Sequence, residues 1–226
     1  MDRPTFPNES HEYRKARNEL LEAEAALRRQ IEEVAALRRK LPLGGPVKED
    51  YVFEEIREGG RVTKVKLSEL FAPGQDSLFL YGFMFGPDMK EPCPLCTSML
   101  DGLNGSALHV TQRVNLAVAA RSPIQRIKEF AATRGWTNLR LLSSANNRYH
   151  RDYLAEDADG NQWPMANVFV KRGRAIHHFW GSELLFNKYE GGDMRHLDLL
   201  WPLWNVFDLT PEGRGENWYP SLSYEG

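Results

Sequence analysis

An apolar run that leads into the chain's two cysteines is the feature that most constrains the fold. The run "SLFLYGFMFG" occupies residues 77–86, and Cys93 and Cys96 follow it, separated only by Pro94 and Leu95. Such a run is typical of a central strand that is buried on both faces. The next segment predicts a helix, because apolar side chains recur at helical spacing at Cys96, Met99, Leu100 and Leu103. The cysteine pair therefore lies where a strand passes into a helix.

The segments after residue 46 continue this alternation of strands and helices. "VNLAVAA" and "LRLLSS" predict two further strands, and the helix predicted between them has Ser122 as its N-cap and Pro123 as its first residue. Two hairpins are predicted as well, one around Gly59 and Gly60 and one within "MANVFVKRGRAIHHFWGSEL". "RHLDLLWPLWNVFDL" predicts a final helix. Strands that alternate with helices imply parallel crossovers, so we expect an α/β fold.

The N-terminal part of the chain predicts one long helix over residues 12–41, which contain no Pro or Gly. Asn8 or Ser10 is its expected cap. Apolar residues recur there every seven positions, at Tyr13, Leu20, Leu27, Val34 and Leu41. "LPLGGP" ends the helix, which divides the chain into a helical arm with its linker, 1–46, and a domain, 47–226. The heptad stripe leaves two arrangements open, an arm folded onto its own domain and a coiled coil that joins two copies into a homodimer.

Charge and composition argue against several classes of partner. The chain has 29 basic and 31 acidic residues and a formal charge of -2, so no global field favours binding to nucleic acid. The N-terminal segment "MDRPTFPNESHEYRK" has no apolar core of the kind a signal peptide needs. No later run approaches the roughly 20 apolar residues that cross a membrane. We therefore expect a cytoplasmic protein that binds neither nucleic acid nor a membrane.

The position of the cysteine pair predicts redox chemistry. In a reducing compartment, a close cysteine pair is more often catalytic or metal-binding than structural. The unpaired backbone N–H groups and the dipole at a helix N-terminus favour an anion, which gives Cys93 thiolate character. We expect Cys93 to attack a disulfide and the more buried Cys96 to resolve the mixed disulfide that forms. The substrate is then a protein or small-molecule disulfide, and no bound cofactor is required.

Two other uses of the pair, as a zinc site or as an inert structural pair, are weaker interpretations. Zinc needs four ligands, and two of them would have to come from the histidines, none of which has finger-like spacing. The candidates are His109, His150, His177, His178 and His196.

"EDADGNQ" does not match the calcium-loop pattern and predicts a turn. The aromatic residues of "LLWPLWNVF" are interpreted as core, with a substrate groove as the alternative.

The order of these elements resembles the thioredoxin fold. The resemblance is strengthened by Pro164, which precedes a predicted strand where thioredoxins carry a cis-proline facing the cysteine pair. More closely, "HEYRKARNELL", "FMFGP", "CPLCTSMLDGLNG" and "HLDLLWPLWNVFDLTPEGRG" resemble a thioredoxin-like family of predicted dithiol-disulfide oxidoreductases. The resemblance implies a thioredoxin-like α/β fold with an N-terminal helical extension. It also implies that the backbone beside Pro164 binds an extended disulfide substrate, with an ordinary trans proline at the start of a strand as the alternative.

The sequence departs from ordinary thioredoxins at two places. The tryptophan that usually precedes their cysteine pair is replaced by Glu91 and Pro92, and the strand "SLFLYGFMF" lacks the buried acid that assists proton transfer to the resolving thiol. The redox direction is therefore left open. Peroxide reduction through a sulfenic acid at Cys93, and a binding or adaptor role without catalysis, are the alternative functions.

Overall fold

The computed structural model describes residues 5–187, 194–215 and 218–224. The chain separates into two compact units, Met1–Pro42 and Leu43–Gly226. Nowhere in the described residues is a helix both long enough and apolar enough to cross a membrane. The domain boundary at residue 46 stays a prediction.

The first unit consists mainly of helix α1, His11–Arg39. Ser10 caps it, because its hydroxyl oxygen accepts the backbone N–H of Tyr13 at 3.1 Å. No residue of α1 is buried, and the Leu20 and Leu27 side chains of the heptad stripe are more than half exposed. The long N-terminal helix predicted from the sequence is confirmed, and the homodimer stays a prediction.

The second unit is built on a seven-stranded mixed sheet. Its strands are β1 Val52–Ile56, β2 Val62–Lys66, β3 Ser77–Phe83, β4 Asn115–Ala120, β5 Leu141–Ser143, β6 Met165–Arg172 and β7 Ala175–Gly181. Their order in the sheet is β2-β1-β5-β4-β3-β6-β7. The neighbours β3, β4 and β5 run parallel, whereas β1–β2 and β6–β7 are the two predicted antiparallel hairpins.

Short and long helices connect these strands. The α-helices are α2 Pro94–Val110, α3 Ile124–Arg134, α4 Tyr149–Asp152 and α5 Leu203–Phe207. Four 3₁₀ helices are described in addition, at Glu58–Gly60, Leu67–Leu70, Glu183–Phe186 and Met194–Leu200. The short helix α4 was not predicted.

Two helix predictions need correction. Helix α3 has Pro123 in the cap position, and the Ser122 hydroxyl instead donates to the carbonyl of Gly86 at 3.1 Å. The final helix is broken into the 3₁₀ segment Met194–Leu200 and α5. Pro202 explains the break, because proline has no N–H to donate and disfavours helical geometry at the residue before it.

Strand β3 is buried on both faces, as its composition predicts. On one face Leu78 and Leu80 pack in a cluster with Phe53, Tyr149 and Phe169. On the other face Tyr81 and Phe83 pack in a second cluster, which also contains residues of α2 and α3 such as Met99, Leu100 and Ile127. Alternate side chains of β3 thus anchor helix α2 and the elements on the opposite face to one sheet.

The element order gives the predicted fold class. Strand β3 leads through the cysteines into α2, then β4 pairs parallel to β3, and the hairpin β6–β7 pairs antiparallel on the other side of β3. The chain is therefore α/β, with a thioredoxin-like fold and the predicted N-terminal helical extension. The predicted turn at residues 156–162 is also present, with the Asp157 carboxylate accepting the backbone N–H groups of Asp159 and Asn161.

Candidate active site

Cys93 lies at the N-terminus of α2, where the sequence predicts it. Its backbone N–H donates to the carbonyl of Met84 at 3.0 Å, which ties the start of the helix to the end of β3. Cys93 is the N-cap residue of α2 and Pro94 is the first helical residue. Proline suits that position because its backbone nitrogen needs no partner there and its φ is already helical.

The loop between β3 and Cys93 is held by Arg126 of α3. The guanidinium donates to the carbonyls of Gly86 and Pro87, both at 3.2 Å, and to that of Lys90 at 2.8 Å, with a further bond to Met89. It also lies 4.3 Å from the centre of the Phe85 ring. Arg126 therefore fixes the path of the chain into the cysteine pair, although nothing in its sequence position indicated this.

The Cys93 thiol is acidic for a cysteine. A hydrogen bond from the Cys96 thiol is the largest cause that lowers its pKa, from the ordinary 9.0 to about 6, while burial acts in the opposite direction. The backbone N–H groups of Cys96 and Leu95 and the hydroxyl of Tyr219 lower the pKa further. These N–H groups belong to the first turn of α2, so the helix N-terminus stabilises the thiolate as expected.

The Cys96 thiol behaves in the opposite way. Its side chain is buried, with 2% of the residue exposed, whereas Cys93 is only partly buried. Burial raises the pKa of Cys96 well above the ordinary 9.0, and the thiolate character of its neighbour Cys93 raises it further. The pair thus combines an accessible thiolate with a buried, protonated thiol at neutral pH.

Two tyrosines that the sequence analysis missed contact the pair. The Tyr81 hydroxyl hydrogen-bonds to Cys96, and burial raises the pKa of Tyr81 well above 10.0. The Tyr219 hydroxyl lies 4.0 Å from the Cys93 sulfur, and its pKa is also raised, mainly by burial. Both phenols remain protonated and donate to sulfur. Tyr81 could have been found, since it shares a face of β3 with Phe83, but no local signal connects the distant Tyr219 to the pair.

Pro164 lines the same cavity as the cysteines, but its peptide bond is trans. No cis bond occurs in the described residues, so the expected cis-proline is wrong. The chain at Ala155 packs closely on Gly82 of β3. A Cβ added at Gly82 would lie only 2.9 Å from the Cβ of Ala155. The N–H of Trp163 donates to the carbonyl of Ala155 at 2.9 Å. This bond pairs the backbone N–H of the residue before Pro164 within the chain.

A largely apolar cavity of about 440 Å³ opens beside Cys93. We call it the cysteine cavity. Its lining includes Cys93, Met99, Trp163, Pro164, Trp201 and Tyr219. Trp201 is buried in the core and also faces the cavity, so it fits both the core interpretation and the groove alternative.

Two of the histidines considered as zinc ligands contact groups other than the cysteines. His150 is buried, contacts the Ser144 hydroxyl at 2.7 Å and has its pKa lowered by burial to about 3. His178 contacts the Asn167 amide oxygen at 2.9 Å. In the described part of the chain, no three His, Cys, Asp or Glu side chains are grouped so that they could hold a metal ion. The side chain of His196 is outside the described residues.

Comparison with solved structures finds distant similarities. AhpC from Enterococcus faecalis is 15% identical with a TM-score of 0.46, over 62% of this chain and 78% of that one. Peroxiredoxin Q from Xanthomonas campestris is 15% identical with a TM-score of 0.44, over 63% and 85%. The pneumococcal exposed lipoprotein thioredoxin from Streptococcus pneumoniae is 14% identical with a TM-score of 0.39, over 56% and 87%. Similarities this low say nothing about activity.

Sequence comparison gives a family but no activity. None of the curated proteins matches the chain. A family model does match it, over residues 3–224, and the family is described as "Bacterial protein of unknown function (DUF899)". Because that match spans nearly the whole sequence, the chain belongs to the DUF899 family.

Proposed function

We propose that the protein is a thiol-disulfide oxidoreductase in which Cys93 is the nucleophile and Cys96 the resolving thiol. One observation carries the proposal: a partly exposed thiol with a pKa of about 6 lies at a helix N-terminus and is hydrogen-bonded to a buried, protonated thiol. The acidic partner supplies the attacking thiolate at neutral pH. The buried partner is kept from reacting with solutes until a mixed disulfide forms next to it.

The reaction has two steps. The Cys93 thiolate bonds to one sulfur of the substrate, whose S–S bond breaks and releases the first thiolate product. The Cys96 thiol then gives its proton to solvent, and its sulfur bonds to the Cys93 sulfur, which breaks the mixed disulfide and releases the second product. Two electrons pass from the dithiol to the substrate, and an external dithiol returns the pair to the reduced state.

The neighbouring hydroxyls serve different steps in this scheme. Tyr219 donates to the Cys93 sulfur and therefore stabilises the thiolate that begins the reaction. Tyr81 donates to Cys96 and therefore stabilises negative charge on the resolving sulfur. Hydrogen bonds to charged groups contribute about 1.5–3 kcal/mol each, so each tyrosine is expected to affect its own step measurably.

The proposal is tested by disulfide reduction with dithiothreitol as electron donor. Wild-type protein is expected to turn over, Cys93→Ser to be inactive, and Cys96→Ser to accumulate a mixed disulfide on Cys93 that intact-mass spectrometry detects. Ser98→Ala, in the same helix turn, is the matched control and should leave turnover unchanged. Turnover that survives in Cys93→Ser contradicts the proposal.

The same samples separate the alternative functions. Consumption of hydrogen peroxide faster than by a free thiol, with a sulfenic acid trapped on Cys93, indicates a thiol peroxidase instead. Absence of both activities, with a binding partner retained by the double Cys93→Ser and Cys96→Ser variant, indicates a binding module. Stoichiometric zinc in the purified protein indicates a metal site at the pair.

A further inference from the structure

We propose that the cysteine cavity binds an uncharged aromatic disulfide of small-molecule size, and that this class, rather than a protein or a charged disulfide, is the substrate. The inference rests on the proposed function of Cys93 and Cys96 and adds the chemistry of the molecule they reduce. It is carried by three features of the described residues: the charge of the cavity lining, the cavity volume, and the pairing of the backbone beside Pro164.

The described lining of the cysteine cavity carries no acidic or basic side chain. Leu95, Leu185 and Leu197 contribute aliphatic surface, and Trp163 and Trp201 contribute aromatic surface. The Cys93 thiolate is the one negative charge expected there at neutral pH. A substrate carboxylate in this cavity would lose its hydration without gaining a cation and would lie near that thiolate, so charged disulfides are disfavoured.

The volume of the cavity suits a small molecule. Ligand pockets usually measure roughly 300–1,000 Å³, and this cavity of about 440 Å³ lies in the lower part of that range. Aromatic walls favour aromatic rings, which gain from offset or edge-to-face contacts beyond the burial of apolar area. Trp163, Trp201 and Tyr219 offer such walls around the Cys93 sulfur.

The backbone beside Pro164 is already hydrogen-bonded within the chain. An extended peptide binds to a strand edge through free backbone N–H and C=O groups. The N–H of Trp163 is bound to the carbonyl of Ala155 at 2.9 Å, and Gln162 is bridged to Glu156. The backbone N–H of Trp163, next to Pro164, is therefore not free to pair with an extended disulfide substrate, which disfavours a polypeptide.

The reaction with such a substrate balances without a further group. Attack by the Cys93 thiolate breaks the aryl disulfide and releases one aryl thiolate. The Cys96 proton passes to solvent, and the Cys96 sulfur then bonds to Cys93 and releases the second aryl thiolate. The dithiol loses two electrons, the substrate gains them, and dithiothreitol reduces the pair again.

The test compares two aromatic disulfides that differ in charge. Dithiodipyridine is uncharged at neutral pH, whereas dithiobis(nitrobenzoate) carries two carboxylates, and glutathione disulfide and insulin represent charged and protein disulfides. The rate of each disulfide with the protein is divided by the rate of the same disulfide with a free thiol, so that differences between the leaving thiols cancel. We expect the normalised rate for dithiodipyridine to exceed each of the others at least about tenfold, because the cavity offers no compensation to buried charge.

A pair of adjacent leucines supplies matched variants. Leu185 lines the cavity, whereas Leu184 is 49% exposed and is not among the lining residues. Leu185→Lys should lower the rate with dithiodipyridine and raise the rate with dithiobis(nitrobenzoate), while Leu184→Lys should change neither. Equal melting temperatures of the two variants exclude a folding effect.

A binding measurement separates failure of the substrate class from failure of the function. The double Cys93→Ser and Cys96→Ser variant cannot react, and binding of dithiodipyridine to it is followed by quenching of tryptophan fluorescence. Saturable quenching without any reduction by wild type overturns the proposed function but supports the ligand class. Reduction of charged disulfides or insulin at rates equal to dithiodipyridine, or identical behaviour of the two lysine variants, overturns the ligand class alone. Neither binding nor reduction overturns both.

Discussion

The acidity of Cys93 makes a quantitative prediction about its reaction with iodoacetamide. With a pKa of about 6 instead of the ordinary 9.0, about nine-tenths of Cys93 is thiolate at pH 7, against about one-hundredth of an ordinary thiol. The thiolate population is thus higher by about 90-fold at this pH. The rate of alkylation does not rise by the same factor, because a less basic thiolate is a weaker nucleophile.

The size of this decrease in nucleophilicity follows from the Brønsted slope, which relates the reactivity of a thiolate to its pKa. A slope of about 0.4–0.5 over a pKa difference of about three lowers the intrinsic reactivity by roughly 15–30-fold. The net advantage over an ordinary thiol is therefore only about 3–6-fold at pH 7. At pH 5 the thiolate ratio rises to about 900-fold, so the net advantage grows to about 30–60-fold. The advantage of Cys93 should therefore increase as the pH falls.

The assay measures alkylation of Cys93 by peptide mass spectrometry between pH 4.5 and 9, with a cysteine-containing peptide as reference. The rate should be nearly constant above pH 7 and fall about tenfold per pH unit below pH 6. Cys96→Ala removes the largest cause of the lowered pKa, so its midpoint should move to higher pH. A wild-type midpoint between pH 8 and 9, with no advantage over the peptide at pH 5, would refute the reasoning.

Three further predictions concern the tyrosines and the N-terminal helix. Tyr219→Phe should raise the alkylation midpoint of Cys93, but by less than Cys96→Ala does, because its hydrogen bond is a smaller cause of the lowered pKa. Tyr81→Phe should leave the first step unchanged and prolong the lifetime of the mixed disulfide at least about tenfold, measured by rapid acid quench and intact mass. Leu27→Glu should convert a dimer held through α1 into a monomer in sedimentation equilibrium, since this exposed side chain lies in the heptad stripe.

Each of these predictions has a result that contradicts it. An unchanged midpoint in the Tyr219 variant means that the phenol does not act on the thiolate. Equal slowing of both steps by Tyr81→Phe indicates a loss of packing rather than a role at Cys96, because Tyr81 is also a core residue. Wild-type protein that sediments as a monomer rejects the homodimer, whatever the Leu27 variant does.

Features encoded in short segments were predictable from the sequence. Strand β3 was indicated by its apolar composition, and the start of α2 by helical spacing and by Pro94. The parallel pairing of β3 with β4 followed from the alternation of strands and helices. The strand and the helix each depend on residues that are neighbours in the chain, and the pairing depends on the order of such segments, so local preference and tertiary packing favour the same structure.

Features that depend on distant residues were not predictable. Arg126 reaches the loop before Cys93 because α3 packs against the sheet, and Tyr219 reaches the Cys93 sulfur from the far end of the chain. The trans bond at Pro164 was missed because the expectation of a cis bond came from the resemblance to thioredoxins and not from the residues around Pro164. Long-range contacts of this kind leave no periodic signal in the sequence.

The missing acid in β3 has a chemical consequence for the second step. The side chain of β3 that reaches Cys96 is the hydroxyl of Tyr81, whose raised pKa keeps it protonated. A protonated phenol donates a hydrogen bond to sulfur but accepts no proton, so it stabilises the Cys96 thiolate without forming it. The proton must then pass to solvent, because an aryl thiolate released from the substrate is a weaker base than the Cys96 thiolate. Resolution should therefore become faster as the pH rises towards the pKa of Cys96, a dependence that a carboxylate at position 81 would weaken.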